Sequence, residues 1–395
     1  MSKNAIMLYS ALGHAYFHMF TAFYFVIVLT LEVEWQLPYH ELVSLWTLGA
    51  LLVGVFAIAA GWLADRWSAP GMLVVFFLGM GACSVAAGHA AGPLGMLVAL
   101  SGLGLFAAIY HPVGIPLVIR HSGAKQGAAL ALNGVFGSLG AAMAGAVTGF
   151  LLERGGSYLA FVLPGAVVML TGAAMLAGLL RARARGRGGI AVPSPPQRRP
   201  QIAPLVVLLF CLTVAGLVYH ATQTAMPKAF SLRLDGAGIK TVGLYVSLVY
   251  VAGGLCQFIG GALADRYNLK LVYLLQFFAH ALLLALAAHA GGLYLVAVLC
   301  AAVALGASAL PAENMLLARY TPSKHHGLVF GLKFVLFFSS GPLGVELVAW
   351  VNRQTGQLVW VFFLLALAAA LVCLGALGLP RKTPPRVEPT PAVAA

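Results

Sequence analysis

The sequence predicts an all-α membrane protein: twelve transmembrane helices arranged as two pseudo-symmetric six-helix bundles. Three observations carry this prediction. Hydrophobic residues make up 61% of the 395-residue chain and charged residues only 8%, against about 25% charged in a soluble domain, and the mean hydropathy is +0.95. The apolar residues fall in continuous runs of roughly 20 or more, which selects helices over the alternating pattern of barrel strands. Finally, Gly61-Trp62-Leu63-Ala64-Asp65-Arg66 returns as Gly261-Ala262-Leu263-Ala264-Asp265-Arg266, and each copy lies between two apolar runs.

In chain order the runs cover about 7–31, 41–63, 71–90, 93–118, 127–151 and 157–180, then 204–229, 240–263, 271–290, 292–318, 327–350 and 357–379. Each is long enough to cross about 30 Å of hydrocarbon as a helix. The first run is too long for the apolar region of a signal peptide. Between the sixth and seventh runs lies a stretch rich in Arg, Gly and Pro, including Pro193-Ser194-Pro195-Pro196 and Arg198-Arg199-Pro200. Such a composition cannot pack a core. The expected organisation is therefore a bundle over 1–180, a basic linker over 181–203 beside anionic headgroups, a second bundle over 204–380 and an unstructured tail over 381–395.

Orientation follows from Lys and Arg. With the N-terminus inside, the outer loops hold only Arg154, Lys228, Arg233, Lys240 and Arg353, and the other basic residues lie inside apart from Lys333, which falls within a run. Both termini are expected in the cytoplasm of a bacterial-type inner membrane. The net charge of +13 is thus a topology signal and not a nucleic-acid footprint. The cysteines Cys83, Cys211, Cys256, Cys300 and Cys373 all sit in apolar runs with no Cys-x-x-Cys pair, so neither a disulfide framework nor a cysteine metal site is expected.

The duplication extends beyond the Asp-Arg turns. Pro112 and Arg120 correspond to Pro311 and Arg319, Gly127 and Asn133 to Gly327 and Lys333, and Gly13 and Tyr16 to Gly216 and Tyr219, all at nearly one offset. Parallel six-helix repeats of this kind are related by an axis along the membrane normal and suit a protein whose halves rock around a central site.

Ionisable and polar groups at membrane depth are expensive to insert and are functional candidates. Lys333 lies about 9 Å into the eleventh helix, and Glu313 lies at comparable depth in the tenth. The pair can be a structural ion pair or a cationic site that protonation opens. His14 and His18 share one helix face and can carry protons. Two imidazoles at this spacing can also hold a metal, but no carboxylate or cysteine neighbours them in sequence, so no metal or other cofactor is expected. Tyr110 and His111 precede Pro112, where they can repair the backbone group that proline frees or line a cavity. His220 and Gln223 form a polar stripe with Thr224. Tyr16, Tyr219 and Asn133 are expected to face the axis by their repeat positions, whereas Asn314, Gln257, Gln276 and His280 are weaker candidates. Glu346 is expected at the interface. No phosphate-cradling loop is present, and the carboxylates are too scattered for hydrolysis, so neither ATP drive nor an enzyme is expected.

Twelve helices in two halves, a long central loop and a Gly-x-Leu-Ala-Asp-Arg turn after helices 2 and 8 resemble the major facilitator superfamily, over essentially the whole chain. The resemblance implies a latch in which Asp65 holds the halves together against helix 11 in the outward-open state, Asp265 acts likewise against helix 5, and Gly61, Gly261, Arg66 and Arg266 complete the turns. It also implies that helices 1, 4, 7 and 10 line the pathway. The chain departs from the family pattern after the Asp-Arg pair: Asn268 can still adopt a left-handed turn, and Ser68 is less suited to it. Gly134, Gly137, Gly140, Gly145 and Gly149, together with Gly341-Pro342-Leu343-Gly344, look like the segments that antiporter members place where the halves meet. Ala108-Ile109-Tyr110-His111-Pro112 is similar to the fosmidomycin-resistance branch of efflux proteins. The implied function is alternating-access secondary transport. The leading expectation is proton-coupled efflux of a small anionic or amphiphilic organic solute, with Lys333, Asn133, Tyr16, Tyr110, Tyr219, His220 and Gln223 meeting the solute and His14, His18, His111 and Glu313 carrying protons. Proton-coupled uptake of an organic acid is the first alternative, and a non-transporting membrane sensor or assembly factor is the second. The partners are then the solute, protons and membrane lipids, and a monomer suffices.

Overall fold

The computed structural model describes residues 1–122, 126–183, 201–321 and 326–380. Most of the expected linker and the whole tail lie outside these residues. The described residues form twelve long helices: α1 (Lys3–Trp35), α2 (Tyr39–Arg66), α3 (Ala69–Gly88), α4 (Pro93–His121), α5 (126–154), α6 (157–183), α7 (Ile202–Arg233), α8 (Ile239–Arg266), α9 (Leu269–His289), α10 (Gly292–Tyr320), α11 (Val329–Thr355) and α12 (Val359–Leu377). They make two bundles of six, and the sequence-derived runs agree with them to within a few residues. Apolar side chains such as Leu170, Leu255, Leu367 and Leu374 are exposed on the outside, as a lipid-facing surface requires.

Local chemistry sets the helix ends. α5 and α6 are separated only by Gly155 and Gly156, the latter at φ +60°. Only glycine takes this conformation without strain. The carboxylate of Glu34, at the end of α1, accepts from the Ser157 backbone N–H at 3.2 Å and from its hydroxyl at 2.5 Å, placing a negative charge at the positive end of α6. At the Asp-Arg turns no left-handed residue is used. Ser68 is extended and accepts from the Gly71 N–H at 3.1 Å, and Asn268 accepts from the Leu271 N–H at 3.2 Å. Both residues work as N-caps, which corrects the expectation of a left-handed turn: a cap binds an orphan N–H of the next helix with no unusual backbone angle.

Proline bends α4 and α10 at matching points. Both helices break regularity just before Pro112 and Pro311, around Ala108–Ile109 and Ala309. Each proline lacks an N–H and crowds the carbonyl four residues earlier. The bends leave His111 and Glu313, which lie beside these prolines, buried at the centre of the molecule. α11 is interrupted at Ser340, just before Pro342.

The bundles meet along α1–α7, α2–α11 and α5–α8. On the last seam Gly145 and Gly243 let two backbones touch, since a Cβ on either would strike the other's carbonyl. Ser247 completes the seam by donating to the Ala142 carbonyl and accepting the Ala146 N–H at 2.6 Å.

Candidate functional site

A cavity of about 300 Å³ lies between the bundles. Its walls come from α1, α4 and α5 on one side and from α7 to α11 on the other. A second void of about 20 Å³ lies nearer the Glu32–Lys228 end. His18, Tyr219 and Phe338 line both voids and form the partition between them. Phe338 of α11 also crosses to the first bundle, with ring centroids 4.6 Å from His111 and 5.2 Å from Phe17.

Beyond that partition the bundles are tied together. Lys228 of α7 meets Glu32 of α1 at 2.7 Å, with only 15% and 20% of the side chains exposed. The Tyr39 hydroxyl donates to the Thr224 carbonyl at 2.9 Å, and the Thr47 hydroxyl donates to Glu346 at 2.5 Å. Lys240 and Glu153 pair at 3.1 Å. Between pairs of described residues, the cross-bundle polar contact nearest the opposite end is the Gln257 amide donating to the Ser138 hydroxyl at 3.1 Å. At that opposite end Asp65 pairs within its own bundle, with Arg120 at 3.5 Å, and Arg66 lies over the Trp62 ring at 4.1 Å. Asp265 and Arg266 are exposed, and Gly261 faces open space. Gly61 faces Pro112 of α4. The bundles are thus pinned at the Glu32 end, and among the described residues the Asp65 latch makes no bond across them.

On the second-bundle wall, Lys333 and Glu313 form an ion pair at 2.6 Å, with side chains 5% and 3% exposed. Lys333 also donates to the Asn314 amide oxygen at 2.6 Å, and the Tyr273 hydroxyl donates to the other Glu313 oxygen at 3.1 Å. Three helices thus meet at one neutral pair. Every strong acceptor of the carboxylate faces a donor, the condition under which a buried pair is tolerated. Glu313, Asn314 and Lys333 all line the cavity.

The first-bundle wall is built from imidazoles. His14, His18 and His111 converge, with ring centroids 4.9 to 5.8 Å apart. The Tyr110 ring stacks on His14 at 5.0 Å, and its hydroxyl donates to the Asn133 amide oxygen at 3.0 Å.

The sequence-derived candidates therefore separate into two groups. Lys333, Glu313, His14, His18, His111 and Tyr219 line the cavity. Asn133 and Tyr110 are buried one layer behind His14. Gln223 is buried and donates to the Tyr219 hydroxyl at 3.3 Å, and His220 lines the smaller void. Tyr16 points elsewhere: its hydroxyl meets Thr171 of α6 at 3.2 Å, inside the first bundle. The repeat alignment with Tyr219 places the residue at the right height but says nothing of helix rotation. Glu346, expected at the membrane interface, is exposed and joins the bundles through Thr47. Sequence reasoning passed over Tyr273, Tyr250, Phe334, Phe337 and Phe338, which read as ordinary apolar helix residues. It ranked Asn314 and His280 low, because a lone amide or imidazole in a membrane helix commonly bonds to a neighbour.

Two six-helix bundles around a central, largely apolar cavity that carries a few buried polar groups, closed at one end, are the architecture of a secondary transporter. The family model of the Major Facilitator Superfamily matches residues 10–239 and 208–395, and the chain belongs to that superfamily. Among solved structures, it is similar to a D-xylose–proton symporter (TM-score 0.75, 14% identity, 96% of this chain and 99% of that one). It is also similar to an inward-facing, occupied bacterial homologue of the human lysosomal transporter Spinster (0.73, 14%, 95% and 95%). A third is the transporter FucP in its outward conformation (0.62, 15%, 94% and 99%). No curated protein sequence matches significantly.

Proposed function

We propose that this chain is a proton-coupled transporter of a small organic anion, in which units 1–180 and 204–380 rock about the central cavity as a monomer in a bacterial-type inner membrane. The Lys333–Glu313 pair carries the reading. An anion that binds Lys333 must displace Glu313. A displaced carboxylate, buried among Tyr273, Asn314 and Cys211, is tolerated once it takes a proton. Anion and proton therefore bind together, and the neutral ion pair is replaced by another neutral arrangement. This logic supports co-movement of solute and proton. The symport activities named for the D-xylose–proton relative and for the E. coli fucose:proton symporter agree with it.

The Lys and Arg distribution supports cytoplasmic termini, so the pinned Glu32 end faces outward and the cavity belongs to an inward-facing state. In that state the Asp65 latch is disengaged, in keeping with its proposed service to the opposite state. A second reading, efflux by exchange, draws support from the glycines of α5 at the α5–α8 seam and from Gly341 and Gly344 of α11 against α2 and α7.

Reconstituted protein under an imposed pH gradient separates the two. A panel of monocarboxylates, dicarboxylates and sugar phosphates serves as probe. Symport drives an anion toward the alkaline side, and exchange drives it toward the acidic side. Lys333→Gln is expected to abolish flux, and Glu313→Gln to keep anion exchange while losing its response to the gradient. Flux of neutral sugars alone, with Lys333→Gln unimpaired, would overturn the anion reading.

A further inference from the structure

We infer that His14, His18 and His111 form a binding site for a late first-row divalent metal ion of the Zn²⁺ or Co²⁺ type, with one coordination position open to the central cavity. The sequence offers only the His14–His18 pair on α1. The bend of α4 at Pro112 adds His111, and the candidate ligand atoms of the three rings then lie within 4.8 Å of one another.

Three features argue for a ligand set over helix packing. His14 is oriented from outside the cluster: its Nδ1 lies 2.7 Å from the Asn133 backbone carbonyl. A carbonyl only accepts, so Nδ1 carries the hydrogen and Nε2 keeps its lone pair. The Asn133 amide nitrogen, 3.1 Å from the same Nδ1, is then a contact and not a hydrogen bond. A carbonyl that fixes the far nitrogen is the usual outer support of a metal-bound histidine. The ring is further held between Tyr110, stacked at 5.0 Å, and Gly137, where a Cβ would come within 2.7 Å of the ring. By contrast, the rings of His18 and His111 make no hydrogen bond to another described residue, although both are central and both line the cavity. Their ring nitrogens are thus not committed to hydrogen bonds between the helices.

The chemistry of the set narrows the ion. Three neutral nitrogen donors without a carboxylate suit Zn, Co, Ni or Cu and not Mg or Ca. Three nitrogens at about 2.0–2.1 Å from a tetrahedral ion stand about 3.3 Å apart, so the rings close by roughly 1.5 Å on binding. The fourth position faces the cavity. The set supplies no negative charge, and Glu313 is engaged by Lys333, so the fourth ligand comes from water, hydroxide or an oxygen of the solute. This inference does not depend on the transport reading, since binding of the metal alone tests it.

The test uses tag-free, metal-stripped full-length protein titrated with Co²⁺ and Zn²⁺. Expected are one Co²⁺ per chain with the visible absorption of a tetrahedral site, displacement by Zn²⁺, and about tenfold or greater loss of affinity in His18→Gln and in His111→Gln. X-ray absorption of the wild-type Co²⁺ form reads the ligands without a variant, and three imidazoles per ion are expected. No Co²⁺ binding, an octahedral spectrum with one imidazole, or affinity unchanged in a His14→Gln/His18→Gln/His111→Gln variant would each overturn the site, the last by assigning the ion to histidines elsewhere.

Discussion

Replacing Lys333 by methionine is the most informative perturbation, because its cost can be worked from the site. Lys333 stands 2.6 Å from Glu313 and 2.6 Å from the Asn314 oxygen, in side-chain surroundings 5% and 3% exposed. Removing one member of such a pair leaves a buried charge uncompensated and costs about 3–5 kcal/mol. Lys333→Met and Glu313→Gln should each show a loss of this size, slightly relieved by the Tyr273 bond that remains to Glu313 and the Asn314 bond that remains to Lys333. The double variant removes both charges together and should lie within about 1 kcal/mol of wild type, because a buried pair replaced by neutral groups of similar volume is often no less stable. The coupling energy, the two single losses less the small loss of the double, is thus about 5–10 kcal/mol, far above the roughly 0.5 kcal/mol within which independent sites add. Unfolding in mixed detergent micelles, followed by tryptophan fluorescence across the four proteins, supplies the cycle. If the double variant loses the sum of the two singles, the charges do not compensate each other, and the argument that anion and proton must enter together fails with them.

Two further perturbations act on the closed end. Lys228→Ala removes a partly buried ion pair that links α7 to α1 and should cost the pinned state about 1–2 kcal/mol, close to a tenfold shift in population. Spin labels at Gln36 and Gly236, in a cysteine-free background, should report a growing long-distance population, and an unchanged distribution would deny the pair a gating role. Gly145→Leu drives a side chain into the Gly243 backbone at the α5–α8 seam; overpacking there should cost about 1–3 kcal/mol and shift the same label pair in the same direction, whereas no shift would show that the seam yields.

Helix existence and order were legible because the bilayer enforces long apolar runs and the Asp-Arg turns mark corresponding points in the two halves. The break at Gly155–Gly156 was legible as a glycine pair between two runs. Burial was legible too: Lys333, Glu313 and His111 fall within long apolar runs, and all three are buried against the central cavity. Rotation was not. Tyr16 and Tyr219 share a repeat position, yet one bonds to Thr171 inside its own bundle and the other lines the cavity. In helices apolar on every side, no polar face shows which way a residue points. Partnerships between distant segments were equally hidden. Glu32 with Lys228, Tyr39 with Thr224 and Thr47 with Glu346 join residues that nothing in the linear pattern relates, and Phe338 is indistinguishable in sequence from its lipid-facing neighbours.

The duplicated backbone carries unlike chemistry, and that asymmetry bears on the proposed cycle. Pro112 and Pro311 bend α4 and α10 at one height, and Asn133 and Lys333 occupy matching places on α5 and α11. One wall nevertheless presents three imidazoles, of which His14 is held by the Asn133 backbone carbonyl, and the other an ammonium held by a carboxylate. An empty carrier must return with its cavity closed, and closing it over an unpaired charge would cost several kcal/mol. The Lys333–Glu313 bond removes that charge whenever solute is absent. Anion alone would strand Glu313 as a buried carboxylate, and a proton alone would strand Lys333 as a buried cation. In the proposed cycle only the empty pair and the doubly loaded pair are neutral, so the residues assigned to the solute would also forbid the half-loaded crossings that dissipate the gradient.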